Sequence, residues 1–356
     1  MPFIPQEILV DLDIIIGYAA ADGRHFSCAF VSHIFHQVVL PYKFKSLTFW
    51  NRSRANYYRT DGIPIPKFCE AINAEDEHAL SLAPLVRELS LLTWSSGYRW
   101  DLKEPLEKIR NSALSFRNLT KFSMDRCVAS TTIMEELGKL VQLQSLHILV
   151  CQDESYDEDI VSFSALSNLQ SLHTLESKRN WIYVRRHLAC IPMKNLRILK
   201  SSDLEVIKAL LTTDPPIQLK ELWLNLCLTD SGDYSMLWNY LARVTSLTHL
   251  SLPLLRRTPS HIFHFPELQY LHVHAELAPS FADQPMKEMK IHTEREPGTF
   301  EALLPLLQRL WKGIVFPHVE YLETDQWAHE LINIPIDVWR EFLSNVKEVR
   351  WPSMAI

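Results

Sequence analysis

Glycine is scarce in this sequence, accounting for 8 of 356 residues. Neither of the common glycine-rich phosphate-binding patterns occurs, which excludes nucleotide binding by a loop of that kind. Long basic runs are also missing, since the longest are the pairs Arg185-Arg186 and Arg256-Arg257. The net charge is −6, so the composition does not indicate a phosphate-binding surface, and we predict no nucleic-acid partner.

The six cysteines, at positions 28, 69, 127, 151, 190 and 227, form no C-x-x-C pair and match no zinc-ribbon or zinc-finger spacing. Scattered cysteines in a long chain are typical of reduced intracellular proteins, so we expect a cytoplasmic location, a nuclear location or both. The apolar N-terminal stretch lacks a basic beginning and contains Asp11 and Asp13, which argues against a signal peptide. No run reaches the roughly 18 apolar residues of a membrane-spanning helix, so we predict no membrane partner.

A leucine pattern recurs along most of the chain. In the segment LVQLQSLHILVCQDE, residues 140–154, Leu143, Leu146, Ile148 and Cys151 lie at offsets 0, 3, 5 and 8. The copies that begin at residues 119 and 219 keep all four anchors, and five weaker copies keep the first three. Three more copies, which begin at residues 169, 196 and 319, are partly degenerate, with Thr or Ser at offset 5. The offset-3 anchors are residues 89, 122, 146, 172, 199, 222, 250, 271, 289, 322 and 349. Their mean spacing of about 26 residues falls in the range of leucine-rich repeats.

Offsets 3 and 5 lie on one face of a β-strand, because strand side chains alternate, and we expect them to face the core of a solenoid. Helical periodicity at 235–244, 299–311 and 337–346 predicts helices that return the chain to the next strand. The predicted fold class is therefore α/β. Residues 81–356 are predicted to form an irregular leucine-rich-repeat solenoid, with a curved parallel sheet and helices on its convex side.

Chemistry-bearing residues form no recognisable catalytic constellation. Cys at offset 8 is interpreted as a small buried residue of the repeat and not as a nucleophile. The histidine pairs at 33 and 36, 261 and 264, and 272 and 274 are interpreted as surface or packing residues. We predict a protein that is not an enzyme and has no cofactor or metal. A hydrolase or metal enzyme hidden in the loops is kept as an alternative, which a metal assay on purified protein would test.

Three short blocks near the N-terminus follow one another in order: IPQEIL at 4–9, CAFVSHIFH at 28–36 and LPYKFKSLTF at 40–49. They resemble the F-box, especially its fungal type. The repeats resemble the cysteine-containing leucine-rich repeats often found behind an F-box. The resemblance implies a three-helix F-box module at 1–45, an irregular first repeat or connecting segment at 46–80, and the repeat domain at 81–356.

The resemblance also implies a function. The F-box family docks on the Skp adaptor of an SCF-type cullin–RING ubiquitin ligase, while the C-terminal domain holds a protein substrate for ubiquitin-dependent degradation. The family's adaptor contacts correspond to Ile4, Pro5, Ile8, Leu12, Val31 and Phe35. Two alternatives remain open. In the first, these six residues fill only the small module's own core. In the second, the N-terminal helices merely cap a non-enzymatic repeat scaffold.

Side chains at offsets 2, 4 and 6 alternate with the anchors and are predicted to lie on the concave face of the sheet. The candidate substrate-binding residues on this face are His147, His173, Trp223, His249, Tyr270, His272, His274 and Lys290. Exposed aromatic side chains with polar neighbours are typical of binding hot spots. The alternative is a simply solvated parallel sheet, on which Trp223 and Tyr270 pack against their neighbours.

Overall fold

The computed structural model describes part of the chain. The described residues are 44–52, 65–94, 112, 115–125, 128–129, 131–149, 152–153, 163, 165–175, 188–226, 228, 230–259, 263–292, 303–324 and 336–350. The F-box-like helices and all six predicted adaptor contacts lie outside these residues. The three cysteines at offset 8 lie outside them as well, so their assigned structural role stays a prediction.

The chain divides into two compact units, and the described residues up to Asn168 belong to the first. Its main parallel strands, in spatial and chain order, are β1 (Ser46–Arg52), β2 (Glu88–Trp94), β3 (Lys121–Asp125) and β5 (Ser145–Leu149). Two short strands, β4 (Val128–Ala129) and β6 (Gln152–Asp153), form a separate parallel pair. The helices are α1 (Ile65–Asn73), α2 (Glu77–Leu82), a 3-10 turn (Ala83–Leu85) and α3 (Thr131–Gly138).

The second unit contains the described residues from Leu169 onward. Its parallel strands run in chain order as β7 (Ser171–Leu175), β8 (Ile198–Ser201), β9 (Glu221–Leu224), β10 (His249–Leu252), β11 (Tyr270–His274), β12 (Glu288–His292), β13 (Tyr321–Thr324) and β14 (Glu348–Arg350). The connecting helices are α4 (Leu204–Leu211), α5 (Ser231–Leu241), a 3-10 turn (Ala278–Phe281), α6 (Leu303–Leu310) and α7 (Ile336–Trp339).

The repeat anchors are in register from strand to strand. In the first unit Leu89 lies beside Phe122, which lies beside Leu146. In the second unit the paired offset-3 anchors are, in order, Leu172, Leu199, Leu222, Leu250, Leu271, Met289, Leu322 and Val349. All of them up to Leu322 are almost completely buried. The predicted parallel sheet, with one strand for each repeat, is therefore confirmed for the described residues.

Polar residues at two adjacent anchor positions satisfy each other. Thr174 and Ser201 replace the usual offset-5 aliphatic residue, and both are buried. Because their strands are neighbours in register, Thr174 Oγ1 and Ser201 Oγ lie 2.7 Å apart in a hydrogen bond. The Asp203 N–H donates to Ser201 Oγ, and the Asp203 carboxylate caps α4 by accepting the N–H of Glu205 at 2.8 Å. The degenerate repeats thus form a bonded polar pair inside the core.

A ladder of backbone hydrogen bonds marks the beginning of each strand. The Thr120 carbonyl accepts the N–H groups of both Gln144 and Ser145, and the Lys220 carbonyl accepts those of Thr248 and His249. This pattern recurs along both units and supplies partners for backbone groups that would otherwise be unsatisfied.

Asparagine side chains just before the first anchor join consecutive repeats. Asn118, Asn168 and Asn345 each donate an amide hydrogen to a carbonyl of the preceding repeat. The accepting residues are Pro84, Val141 and Pro317, respectively. The recurring Asn-Leu or Asn-Val dipeptide is the sequence signal of this second ladder.

One predicted helix is shorter than its periodicity indicates. The segment 337–346 is helical only within α7, which ends at Trp339. The Phe342 carbonyl accepts the Phe316 N–H at 2.7 Å, and the Asn345 side chain binds the Pro317 carbonyl. The Phe342 carbonyl, which a longer helix would use for an i to i−4 bond, is thus bonded to the preceding repeat.

Candidate binding face of the second unit

The outward face of the second unit comprises the strand side chains that alternate with the buried anchors. It has two rows. The first row, at offset 2, contains Ser171, Ile198, Glu221, His249, Tyr270, Glu288, Tyr321 and Glu348. The second row, at offset 4, contains His173, Lys200, Trp223, Ser251, His272, Lys290, Glu323 and Arg350. Side chains in both rows are partly or fully exposed, except Ser251, which is buried.

Three of the predicted residues form an aromatic stack at the centre of this face. The rings of Trp223 and Tyr270 are stacked with centroids 5.3 Å apart, and those of His249 and Tyr270 are 5.9 Å apart. Trp223 and Tyr270 belong to β9 and β11, so the stack crosses β10. Ser251 on β10 lies in register beside Trp223, and its small side chain leaves room for the two large rings to meet. Packing therefore fixes the orientation of the exposed aromatic surface.

Tyr270 remains a neutral phenol at physiological pH. Burial among its neighbours raises the pKa of Tyr270 to about 12, and the carboxylates of Glu323 and Glu288 add to the effect. The phenol is thus available as a hydrogen-bond donor and acceptor beside two acidic side chains.

A cation, an aromatic ring and a carboxylate come together at one side of the stack. The Lys200 ammonium lies 4.6 Å from the centroid of the Trp223 ring and 3.6 Å from Glu221 Oε2. The Trp223 indole N–H donates to the same carboxylate oxygen at 3.2 Å. Lys200 and Glu221 are absent from the predicted site residues, although their offsets place them on this face.

The same combination occurs at the other end of the sheet. The Arg350 guanidinium lies 4.4 Å from the centroid of the Tyr321 ring, and Arg350 Nε donates to Glu348 Oε2 at 3.1 Å. Between the two ends, the predicted residue Lys290 forms an ion pair with Glu323. The cations of the second row are thus engaged by carboxylates of the same face.

The remaining predicted residues are not members of the aromatic stack. His272 Nδ1 is 3.0 Å from Ser251 Oγ, and His173 lies on β7. His274 is 6% exposed and tilted against His292, so it differs from the expected open position. The chain turns directly after this residue, where the Leu277 N–H bonds the His274 carbonyl. His147 belongs to the first unit, where its Nε2 lies 3.1 Å from Ser145 Oγ.

The described residues lack both a metal-binding cluster and a membrane-spanning helix. They contain no group of three or more His, Cys, Asp and Glu side chains placed to hold a metal ion. Within those residues, no helix combines the length and the apolar character needed to span a membrane. Cys69 is fully buried, and its burial raises the pKa of the thiol to about 11, whereas Cys190 is exposed.

Comparison with known proteins finds similarity only among solved structures. No family model matches the sequence, and no curated protein matches it. The crystal structure of a TLR13–ssRNA13 complex is 15% identical, with a TM-score of 0.36 over 78% of this chain and 41% of that chain. The chain therefore spans about two fifths of the length of that protein. An internalin from Listeria monocytogenes is 11% identical, with a TM-score of 0.28 over 65% of this chain and 90% of that chain.

Proposed function

We propose that this chain is the substrate-recognition subunit of an SCF-type cullin–RING ubiquitin ligase. Residues 1–45 form an F-box that docks on the Skp adaptor and, through it, on the cullin, and the repeats hold a protein substrate. The observation that carries the proposal is the resemblance of the blocks at 4–9, 28–36 and 40–49 to the F-box, in the correct order. If the chain is a subunit of such a ligase, we expect it in the cytoplasm, the nucleus or both.

The composition of the N-terminal segment supports docking on a partner. The contacts carried over from the family are apolar: Ile4, Pro5, Ile8, Leu12, Val31 and Phe35. A module of about 45 residues has too little core to be strongly stable alone. An apolar surface that a partner covers therefore suits such a module.

The outward face of the second unit supports the substrate-binding half of the proposal. Trp223 and Tyr270 form a stacked pair whose orientation is fixed before binding, which lowers the entropy cost of forming a complex. Tryptophan and tyrosine are also the residues most enriched at energetic hot spots of interfaces. In this proposal the chain needs no catalytic residue, because the ligase chemistry belongs to other subunits and this chain supplies proximity.

A second candidate is a non-enzymatic repeat scaffold whose N-terminal helices cap the sheet. It is favoured by the position of β1, which follows the N-terminal segment directly and pairs with β2 in full register. The Arg87 N–H also bonds the carbonyl of Lys45, at the end of that segment. A repeat sheet needs a cap at its terminal strand for solubility.

Co-expression with the Skp adaptor followed by size-exclusion chromatography separates the two candidates. We expect the native chain to co-elute with the adaptor and the Pro5→Ala/Ile8→Asp double variant to elute without it. Gln6→Ala is the matched control, because this position is variable in the motif, and it should co-elute like the native chain. A folded native chain that elutes alone would overturn the ligase proposal. The second candidate, a repeat scaffold with an N-terminal helical cap, would then remain.

A further inference from the structure

The charges of the outward face do not balance. The cations Lys200, Lys290 and Arg350 each pair with a carboxylate, and the partners are Glu221, Glu323 and Glu348. Glu288, in the first row, is the fourth carboxylate of this face, and it is exposed. Among the described residues it has no ion-pair partner. The face therefore carries one uncompensated negative charge at a defined position.

That position lies between two tyrosines. Glu288 on β12 is in register with Tyr270 on β11 and with Tyr321 on β13. Tyr270 is held by its stacking on Trp223 and His249, and Tyr321 already carries the Arg350 guanidinium on its ring. An exposed carboxylate thus stands beside two aromatic rings whose orientation is constrained.

Two clusters of side chains on the same face indicate what a carboxylate beside an aromatic ring binds. Lys200 contacts the Trp223 ring and the Glu221 carboxylate, and Arg350 contacts the Tyr321 ring and the Glu348 carboxylate. In both, one cation meets an aromatic ring and a carboxylate together. Glu288 supplies the carboxylate and Tyr270 supplies a ring that no cation of the described residues contacts, whereas the Tyr321 ring already carries Arg350. A cation that bound there would gain both the interaction with the ring and a charge-assisted hydrogen bond.

We propose that the outward face of the second unit binds a basic protein segment, and that an arginine or lysine side chain of this segment binds Glu288 between Tyr270 and Tyr321. The inference rests on the proposed function in one respect, namely that this face receives a protein. It adds the chemical class of the partner. An acidic segment would have to displace carboxylates from all three cations of the face, whereas a basic one meets a carboxylate that is open.

The test measures binding of a fluorescein-labelled arginine-rich peptide to the full chain by fluorescence anisotropy. A citrulline version of the same peptide, in which a neutral urea group replaces each guanidinium, controls for shape. We expect the citrulline peptide to bind at least roughly tenfold more weakly, because the charge-assisted hydrogen bond and the interaction with the ring are lost. Equal binding of the two peptides would overturn the proposal.

Matched variants locate the site. Glu288→Gln keeps the shape of the side chain and removes its charge, and it should weaken arginine-peptide binding roughly tenfold. Glu341→Gln removes another exposed carboxylate of the same unit, away from the strands, and should change binding by no more than about twofold, as expected for a screened charge. Equal effects of the two substitutions would mean general attraction to an acidic protein and would contradict the assigned position.

The aromatic contribution has its own pair of variants. Tyr270→Phe keeps the ring and should bind the arginine peptide within about twofold of the native chain, whereas Tyr270→Leu should lose about threefold. Circular dichroism before each titration establishes that the variants are folded. The assay needs no adaptor, so its failure leaves the co-elution result intact, and failure of co-elution leaves the peptide result intact.

Discussion

The two faces of one sheet differ in what their residues do. In the second unit the inward side chains of β9 and β10 are all leucines, and each is at most 1% exposed. The outward side chains of the same two strands are Glu221, Trp223, His249 and Ser251, which contact one another or neighbouring strands through charge, hydrogen bonds and rings. A period of two therefore separates the residues that hold the fold from those available to a partner.

The largest loss of stability is expected from a substitution at a buried anchor of the inward face. Leu250→Ala should lower the free energy of unfolding by about 2–5 kcal/mol, because it removes a fully buried side chain and leaves a cavity. Its neighbour His249 points outward, so His249→Ala should cost within about 1 kcal/mol, mainly the lost stacking on Tyr270. Urea unfolding of both variants measures the difference. Similar losses would contradict the assignment of the faces.

A smaller loss of stability is expected when a residue that caps a helix is replaced. Asp203 is fully buried and caps α4, and Asp203→Ala should cost about 2 kcal/mol. Asp230 caps α5 in the same manner but is exposed, so water can replace its bond to the Gly232 N–H. Asp230→Ala should therefore cost less, about 0.5–1 kcal/mol. Thermal and urea unfolding can rank the two, and the reverse order would show that burial does not set the cost.

Two polar anchors on the inward face differ in whether their buried hydroxyl group is hydrogen-bonded. Thr174→Val removes one hydrogen-bond partner of Ser201 Oγ and should destabilise the protein by about 1 kcal/mol. Thr324 is an equivalent buried anchor, and its hydroxyl has no hydrogen-bond partner among the described residues. Thr324→Val should instead stabilise the protein by about 1 kcal/mol, because it ends the cost of an unsatisfied buried hydroxyl. Opposite signs in urea unfolding are the expected result, and a loss at both positions would be inconsistent with this explanation.

Alkaline pH should give the most gradual effect. Burial raises the pKa of Cys69 from 9.0 to about 11, so the unfolded chain loses this proton first as the pH rises. Stability from this group is complete below pH 9.0 and is lost as the pH passes through about 11. On the outward face, the raised pKa of Tyr270 moves the corresponding window to between 10.0 and about 12.

The substitutions Cys69→Ala and Tyr270→Phe remove these titrations one at a time. Because the two windows overlap between pH 10.0 and about 11, Cys69→Ala should flatten the fall of stability most clearly between pH 9.0 and 10.0, and Tyr270→Phe between about 11 and about 12. Unfolding free energies measured across the alkaline range provide the test. A variant that keeps the full native slope in its window would exclude that group as the cause.

Most of the inward face could be predicted from the sequence, because anchor spacing and strand alternation depend on backbone geometry alone. The spacing predicted that Leu222, Leu250 and Leu271 would share a core, and they lie in register and are buried. The link from Asn118 to the Pro84 carbonyl was missed, although the Asn-Leu dipeptide recurs before other anchors. Hydrophobic periodicity does not register such polar side-chain bonds.

Less of the outward face could be predicted. Alternation places Trp223 and Tyr270 on one face, but their stacking depends on the small residue Ser251 on the strand between them. Ion pairing was also beyond prediction, because long side chains such as Lys290 can reach several carboxylates. His274 is buried where the chain turns after the strand, and strand periodicity does not describe that turn.

The inward face of the sheet maintains the fold, and the outward face is proposed to bind a partner. The most direct measurement compares Leu250→Ala with Glu288→Gln, using urea unfolding and arginine-peptide anisotropy on the same preparations. Leu250→Ala should lose about 2–5 kcal/mol of stability and, where it is folded, bind the peptide within about twofold of the native chain. Glu288→Gln should unfold like the native chain and bind roughly tenfold more weakly. If folded Leu250→Ala lost as much binding as Glu288→Gln, or if Glu288→Gln lost as much stability as Leu250→Ala, the division between the faces would be contradicted.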